Sequence, residues 1–251
     1  MSEKKIFYAQ GDDPILVAAY EKAQDTFKYF WREVAWEYRR IIPGLSTACV
    51  KVAFTEEVPG SDDVLVEHMW IGNIDFDGSV IYGELLNEPI DIKSIKVGDE
   101  VGVTIEQISD WMIVSDDKTY GGFTIQAMRS VMSDEERQEH DAAWGLDFGS
   151  YDEVLVVRDQ IEHPEYLIEH PMSVNMKDSL IEFLDQNPDE VKVTDEAGIT
   201  FLHREVIAGN LTSTEVLLEK GADKLAKTKD GKTALDFARE LNWSHIIPVL
   251  S

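Results

Sequence analysis

The stretch Val64–Leu86, "VLVEHMWIGNIDFDGSVIYGELL", decides how this chain is read. It sets a carboxylate, an imidazole and an indole close together at Glu67, His68 and Trp70, which fits either a catalytic site or a sheet strand carrying polar residues. Apolar and polar residues alternate along it, and alternation is the period of a half-buried strand. Leu65, Glu67, Met69 and Ile71 fall on one face, and Val64, Val66, His68, Trp70 and Gly72 on the other. Side chains of a regular strand point alternately to its two faces, so Glu67 and His68 cannot form an adjacent acid–base pair. His68 and Trp70 are the pair that shares a face. Asp77-Gly78 supplies the turn into a following strand.

Outward from this hairpin the period of two persists. "ACVKVAF", "DEVGVTI" and "DWMIV" are short runs rich in Val, Ile and aromatics, separated by turn chemistry at "PGSDD", "NEPIDIKSIKVGD" and "SDDKTYGG". The spacing predicts a meandering antiparallel sheet, closed by a last strand at "DEVLVV". A helix precedes it: in "DPILVAAYEKAQDTFKYFWREVAWEYRRII", Leu16, Ala19, Tyr20, Ala23, Phe27, Phe30, Trp31, Val34 and Tyr38 recur every three or four residues. Asp12 or Asp13 caps that helix, Pro14 suits its first turn, and "IPG" ends it at Pro43. Its aromatic stripe reads as core. A second helix, "FTIQAMRSVMSDEERQEHDAAWG", restarts at a capping box from Ser133 to Glu136.

Composition bounds the function. The net charge of −26 repels nucleic-acid phosphates and anionic membranes and steers basic partners. The acidity runs through both halves, and plain solubility in a bacterial or halotolerant cytosol explains it equally well. No run of about 18 apolar residues spans a membrane, and "MSEKKIFYAQGDDP" has no apolar signal core, so a cytoplasmic location is expected. The single cysteine, Cys49, excludes an internal disulfide and reads as a buried, inert thiol.

Beyond a Pro-punctuated connector with His163-Pro164 and His170-Pro171, an internal repeat appears. Gly198, Thr200 and Leu202 in "DEAGITFLHREVIAGN" return 33 residues later as Gly231, Thr233 and Leu235 in "KDGKTALDFARELNW". This is the ankyrin period. "STEVLLEKGAD", with Gly221 and Asp223, resembles the second helix and exit turn of an ankyrin unit, and "KDSLIEFLDQNPDEVKVTD" a degraded one. The resemblance implies that the glycines serve turns, the threonines cap helices, the leucines fill the inter-repeat core and His203 is a structural hydrogen-bonding residue. Phe201 and Ala234 replace the usual proline after Thr, and Asp236 stands where the earlier unit has His203. So short an array needs the first domain as its cap. The expected organisation is an α+β domain over residues 1–160, an antiparallel sheet with flanking helices, then a connector over 161–172 and an all-α ankyrin-repeat array over 173–251.

"VKVAF", "EHMWIGNI", "GELLNEP", "VGDEVGVTIEQISDWMIV" and "GGFTIQAMRSVMSDEE", in that order, resemble the bacterial family known as domain of unknown function 2314, over roughly residues 20–148. The family brings no established activity. Related small domains occur among proposed immunity proteins of bacterial toxin systems, as do ankyrin repeats, and both are analogies of fold and setting.

Candidate site residues are Glu67, His68, Trp70, Asn87, Asp99, Asp110, Trp111, Gly121 and Gly122. The functional expectation is a groove in which the "EHMW" and "DWM" strands bring two indoles, a His and a carboxylate around a ligand. The structural alternative gives Trp70 and Trp111 to the core, Asn87 and Asp99 to turns, and the glycines to tight backbone. His140 with Asp141, His163 and His170 lack zinc-ligand spacing. "YGGF" lacks the Lys of a phosphate loop, and no G-x-S-x-G elbow exists. The expectation is a non-enzymatic protein with no cofactor that binds a basic protein partner, as an immunity-type inhibitor or adaptor. The alternative is a small-ligand-binding or hydrolytic domain using His68, Glu67, Asp110 and Trp111, docked by the ankyrin units.

Overall fold

Asp13 starts the first helix, α1 (Pro14–Glu37), its carboxylate accepting the Ile15 N–H at 2.9 Å, with proline in the first turn. The computed structural model describes residues 13–58, 60 and 62–251, so Asp12, the alternative cap, and Pro59 and Ser61 of the "PGSDD" turn lie outside the described residues. The helix ends at Glu37, short of the expected Pro43. The Glu37 carboxylate captures the Gly44 and Leu45 N–H groups at 2.8 and 3.1 Å and turns the chain into the sheet.

Among the described residues the fold is α+β, with one six-stranded antiparallel sheet and nine α-helices. The strands are β1 (Thr47–Glu57), β2 (Val64–Phe76), β3 (Ile81–Leu85), β4 (Glu100–Val103), β5 (Ile108–Ser115) and β6 (Lys118–Gly121), in the spatial order β4-β3-β2-β1-β5-β6. This corrects the simple meander: β1 pairs with both β2 and β5, so the β4–β5 connection crosses the sheet. That crossing is fastened to α1, where Gln24 donates to the Glu106 and Ile108 carbonyls at 3.1 and 2.9 Å. Two further expectations change. "SDDKTYGG" is not all turn, because Asp116 and Asp117, at φ +50° and +63°, make a tight hairpin and Lys118–Gly121 pair back as β6. "DEVLVV" forms no strand and touches the sheet edge through one bond, Gly121 N–H to Leu155 C=O at 2.8 Å.

Alternation sorts the core. Val50, Val52, Met69, Ile71, Trp111 and Ile113 meet Ala23, Phe27 and Phe30 of α1, whereas Cys49, Met112 and Val114 pack with Ile125 and Phe148 in a smaller cluster. Burial pushes the Cys49 thiol up to about 12 and, with the field of Asp110 adding to it, leaves the sulfur protonated. Ile125 lies on α2 (Phe123–Ser130), and α3 (Asp134–Trp144) follows with the Ser133–Glu136 capping box formed.

The remaining helices are α4 (Pro171–Asn175), α5 (Lys177–Gln186), α6 (Phe201–Ile207), α7 (Leu211–Glu219), α8 (Ala234–Glu240) and α9 (Ile247–Leu250). Thr200 and Thr233 cap α6 and α8 in matching capping boxes. The unit these helices form meets α1 at points such as Tyr29 on Trp243 and shares one continuous hydrophobic cluster with the sheet. Trp36 Nε1 donates to Asn210 Oδ1 at 3.0 Å, Arg39 pairs with the buried Glu205 at 2.6 Å, and Glu33 meets His170 Nε2 at 3.0 Å. Arg32, buried, donates to the Tyr166 and Ile168 carbonyls of the connector. At the β2–β3 turn Gly78, at φ +95°, sits so tightly on this unit that a Cβ there would fall 2.5 Å from the Phe237 ring.

Candidate functional site

The residues of the opening stretch are held by different parts of the fold. Glu67 accepts the Ile90, Asp91 and Ile92 N–H groups at 2.8, 3.0 and 3.2 Å, clasping the loop after β3. Desolvation opposes its charge, yet those three donors and Lys93 outweigh it and hold the carboxyl below its ordinary value. His68 stacks on Tyr20 at 5.4 Å between ring centroids, and its Nδ1 lies 2.9 Å from Ser109 Oγ. Burial, then the nearby Lys51, lowers the imidazole pKa. Ser109 Oγ also reaches the Lys51 carbonyl at 3.2 Å, and with the hydroxyl turned to that carbonyl His68 Nδ1 is the donor to Ser109. A serine so oriented does not hand its proton to His68. A register shift in the β1–β5 pairing, between Lys51 and Val52, accompanies Ser109.

Trp70 donates its backbone N–H to Asn87 Oδ1 at 2.7 Å, and its indole lies under Lys51 Nζ at 5.7 Å. Asp99 closes a turn on the Lys96 N–H at 3.0 Å. Asp110 is 0 % exposed and accepts the N–H groups of Trp111, Phe123 and Thr124, each at 2.8 Å, and the Thr124 hydroxyl. Burial nonetheless pushes its carboxyl up to about 6 against those bonds. Trp111 is 0 % exposed, and its Nε1 donates to the Ala23 carbonyl and Thr26 Oγ1, both at 3.1 Å. Gly121, at φ +73°, passes so near that a Cβ would sit 2.4 Å from the Trp111 carbonyl oxygen. Gly122 stands at the start of α2.

The expected single groove is therefore corrected. β1 separates the "EHMW" and "DWM" strands, Trp111 belongs to the α1-facing core while Trp70 packs with the other cluster, and Asp110 and Trp111 have no exposed surface to offer a ligand. His68, Trp70, Lys51 and Ser109 do come together. Among the described residues no group of three or more His, Cys, Asp or Glu side chains is arranged to hold a metal ion.

In the last third, Thr200 Oγ1 accepts the His203 N–H at 3.2 Å and His203 Nδ1 takes the Thr200 N–H at 3.1 Å. Asp236 performs the same exchange with Thr233, at 3.3 and 2.9 Å. Gly198, Gly221 and Gly231 have φ of +80°, +90° and +82°, and Asp223 accepts the Leu225 N–H in the exit turn. Leu202 is buried, whereas Leu235 is half-buried.

Sequence reasoning missed a cleft of about 420 Å³ between the end of α1, the β2–β3 turn and the loop before α6. Trp31, Tyr38, Arg39, Asp75, Phe76, Asp77 and Tyr82 line one side, and Asp195, Ile199, Arg204 and Ile207 the other. Its only signal was the exposed aromatic Tyr38 at the edge of an otherwise apolar stripe.

A family described as an uncharacterized protein conserved in bacteria, DUF2314, matches residues 13–148. This chain belongs to the DUF2314 family. A Neisseria meningitidis serogroup B protein named for an ankyrin repeat is 48% identical over 250 residues, covering 100% of this chain and 98% of that protein. The Escherichia coli K12 protein YegJ, itself described as uncharacterized, is 31% identical over 86 residues, 34% of this chain and 56% of its own length. The DUF2314 match takes in the sheet, α2 and α3. Among the described residues no helix is long and apolar enough to cross a membrane.

Proposed function

We propose that this DUF2314 protein acts by binding another protein, as an immunity-type inhibitor or adaptor in the cytoplasm whose acidic surface covers a basic partner. In this reading residues 1–160 form the DUF2314 domain, 161–172 the connector and 173–251 a short ankyrin array. The full-length likeness to a relative named for an ankyrin repeat supports it, as do the paired capping boxes of α6 and α8. The observation that carries it is the employment of the reactive-looking side chains. Glu67 clasps a loop, Asp110 pins the start of α2 and Trp111 fills the core. The net charge of −26 supplies the steering field.

Affinity capture on the full chain at low and high salt, with mass spectrometry of what is retained, tests this. The expected result is a basic protein released by salt, because exposed charge pairs are screened. A retained partner indifferent to salt counts against the acidic surface.

One observation favours a second reading, in which the half-open cluster of Lys51, His68, Trp70 and Ser109 binds a small ligand: the imidazole, the ammonium over the indole and the hydroxyl are brought together there. His68→Ala separates the two. Loss of function with an unchanged melting curve favours the ligand, and loss of stability alone favours packing on Tyr20.

A further inference from the structure

We propose that the cleft between the end of α1, the β2–β3 turn and the loop before α6 receives an arginine side chain of a protein partner, held between tyrosine rings and the carboxylates of Asp75 and Asp77. This rests on the protein-binding reading above and gives it a location. The cleft's volume of about 420 Å³ lies within the range of pockets that enclose a side chain or small ligand, about 300–1,000 Å³. Its floor is apolar and rigid: Trp31, Phe76 and Ile207 are buried, with Trp31 edge-on to Phe76 at 5.8 Å.

The walls are tyrosines fixed at their far ends. Tyr38 donates its hydroxyl to the Ile74 carbonyl, and Tyr82 to Asp77 Oδ2 at 3.3 Å. Anchored this way the two residues remain 62% and 46% exposed. Elsewhere the chain covers its aromatic rings with its own cations, placing Lys28 on Trp243, Arg39 on Trp36 and Lys51 on Trp70. Among the described residues no Lys or Arg lies over Trp31, Tyr38 or Tyr82.

The charges are unbalanced in the same place. Asp75 and Asp77 accept only N–H and hydroxyl donors, and neither has an ion-pair partner among the described residues. Two cations line the cleft and both are spent, Arg39 on Glu205 and Arg204 on Asp195, each at 2.6 Å, as is Lys232, which reaches the turn at Ser79 and pairs with Glu240 at 2.6 Å. After desolvation, the fields of Asp77, Asp75 and Asp230 all raise the Tyr82 pKa, so these carboxylates converge on the ring that forms the wall. A cation entering the cleft meets π faces and unneutralised carboxylates together. A guanidinium suits both, because its plane stacks on a ring while its fork of N–H groups bonds a carboxylate, whereas an ammonium offers a point charge and no stacking face.

The test is the binding of a fluorescein-labelled hexa-arginine peptide to the full-length protein, followed by anisotropy at low salt, with hexa-lysine for comparison. Asp75→Asn with Asp77→Asn keeps the side-chain acceptors of the turn while removing two charges. Glu135→Gln with Glu139→Gln removes the same charge from the exposed face of α3. The expected result is a Kd raised about thirtyfold by the first pair, the loss at which an interface residue counts as a hot spot, and left within about twofold by the second. Tyr82→Leu weakens hexa-arginine more than hexa-lysine, and thermal melts confirm that each variant is folded. Equal weakening by the two charge pairs overturns the cleft while leaving the acidic surface standing. No binding of hexa-arginine to the unaltered protein overturns both.

Discussion

The two flanks of α1 are built from opposite materials. Towards the sheet the helix offers Ala23, Phe27 and Phe30, which pack on Phe76 and Trp111 with ring centroids 5.3 and 5.7 Å apart. Towards the C-terminal helices it offers Arg32, Glu33 and Trp36, with Arg39 just past its end, and their partners Tyr166, His170, Asn210 and Glu205 lie more than a hundred residues further on. The first flank is held by area removed from water, which is tolerant of detail. The second is a set of buried polar pairs, where each group left alone costs more than each bond contributes. One helix thus carries a forgiving seam on one side and an exacting one on the other.

The largest disturbance of this contrast is to remove α1 from its polar partners altogether. A fragment of residues 161–251 leaves Glu205, Asn210 and His170 without it, and urea titration followed by circular dichroism is expected to show no cooperative transition. A sharp transition in that fragment erases the dependence. Next comes Phe27→Ala, which cuts a cavity into the apolar flank. The cost is about 3–5 kcal/mol, read as a lower urea midpoint with unchanged slope.

Asp110 lies beneath the apolar seam, and burial favours its neutral form with a carboxyl pKa of about 6. Its folded value is raised above the unfolded one, so its stabilising contribution is whole below about pH 4 and is lost as pH rises through about 6, a swing of roughly 3 kcal/mol. Carboxyl-carbon NMR of the folded protein is expected to give a midpoint near 6. A midpoint below about 4 means that its four donors outweigh burial. Asn210→Ala probes the polar flank by leaving the Trp36 N–H and one Glu205 oxygen without a partner. The expected loss is about 1–3 kcal/mol, and a loss that disappears when Trp36→Phe is added identifies the bond as its source. The smallest effect is that of Thr233→Ala, which removes the α8 cap far from both flanks and costs about 1 kcal/mol.

The same contrast explains what could be read from the amino-acid order. The apolar flank announced itself, because Ala23, Phe27, Phe30 and Val34 repeat at helical spacing and nothing distant is needed to interpret them. The β1, β2 and β3 runs and the Ser133 capping box were legible for the same local reason. Strand order was not, since periodicity says which face a residue takes and nothing about its neighbour strand, and so Trp70 and Trp111 were expected in one groove when β1 divides them. Arg32 and Glu33 were passed over because charged residues are ordinarily exposed. Only the arrival of Tyr166 and His170 makes their burial affordable. The cleft was invisible for a further reason, being made of side chains from three separated segments.

Gly78 gives the two-sided helix a practical consequence. Its turn lies against Phe237 and Ile207 with no room for a methyl group. A side chain at position 78 would therefore act as a wedge, prying the β2–β3 turn from α8 and widening the mouth between Asp77 and Asp195. One missing carbon atom sets the spacing of the halves, and so the calibre of the opening they share.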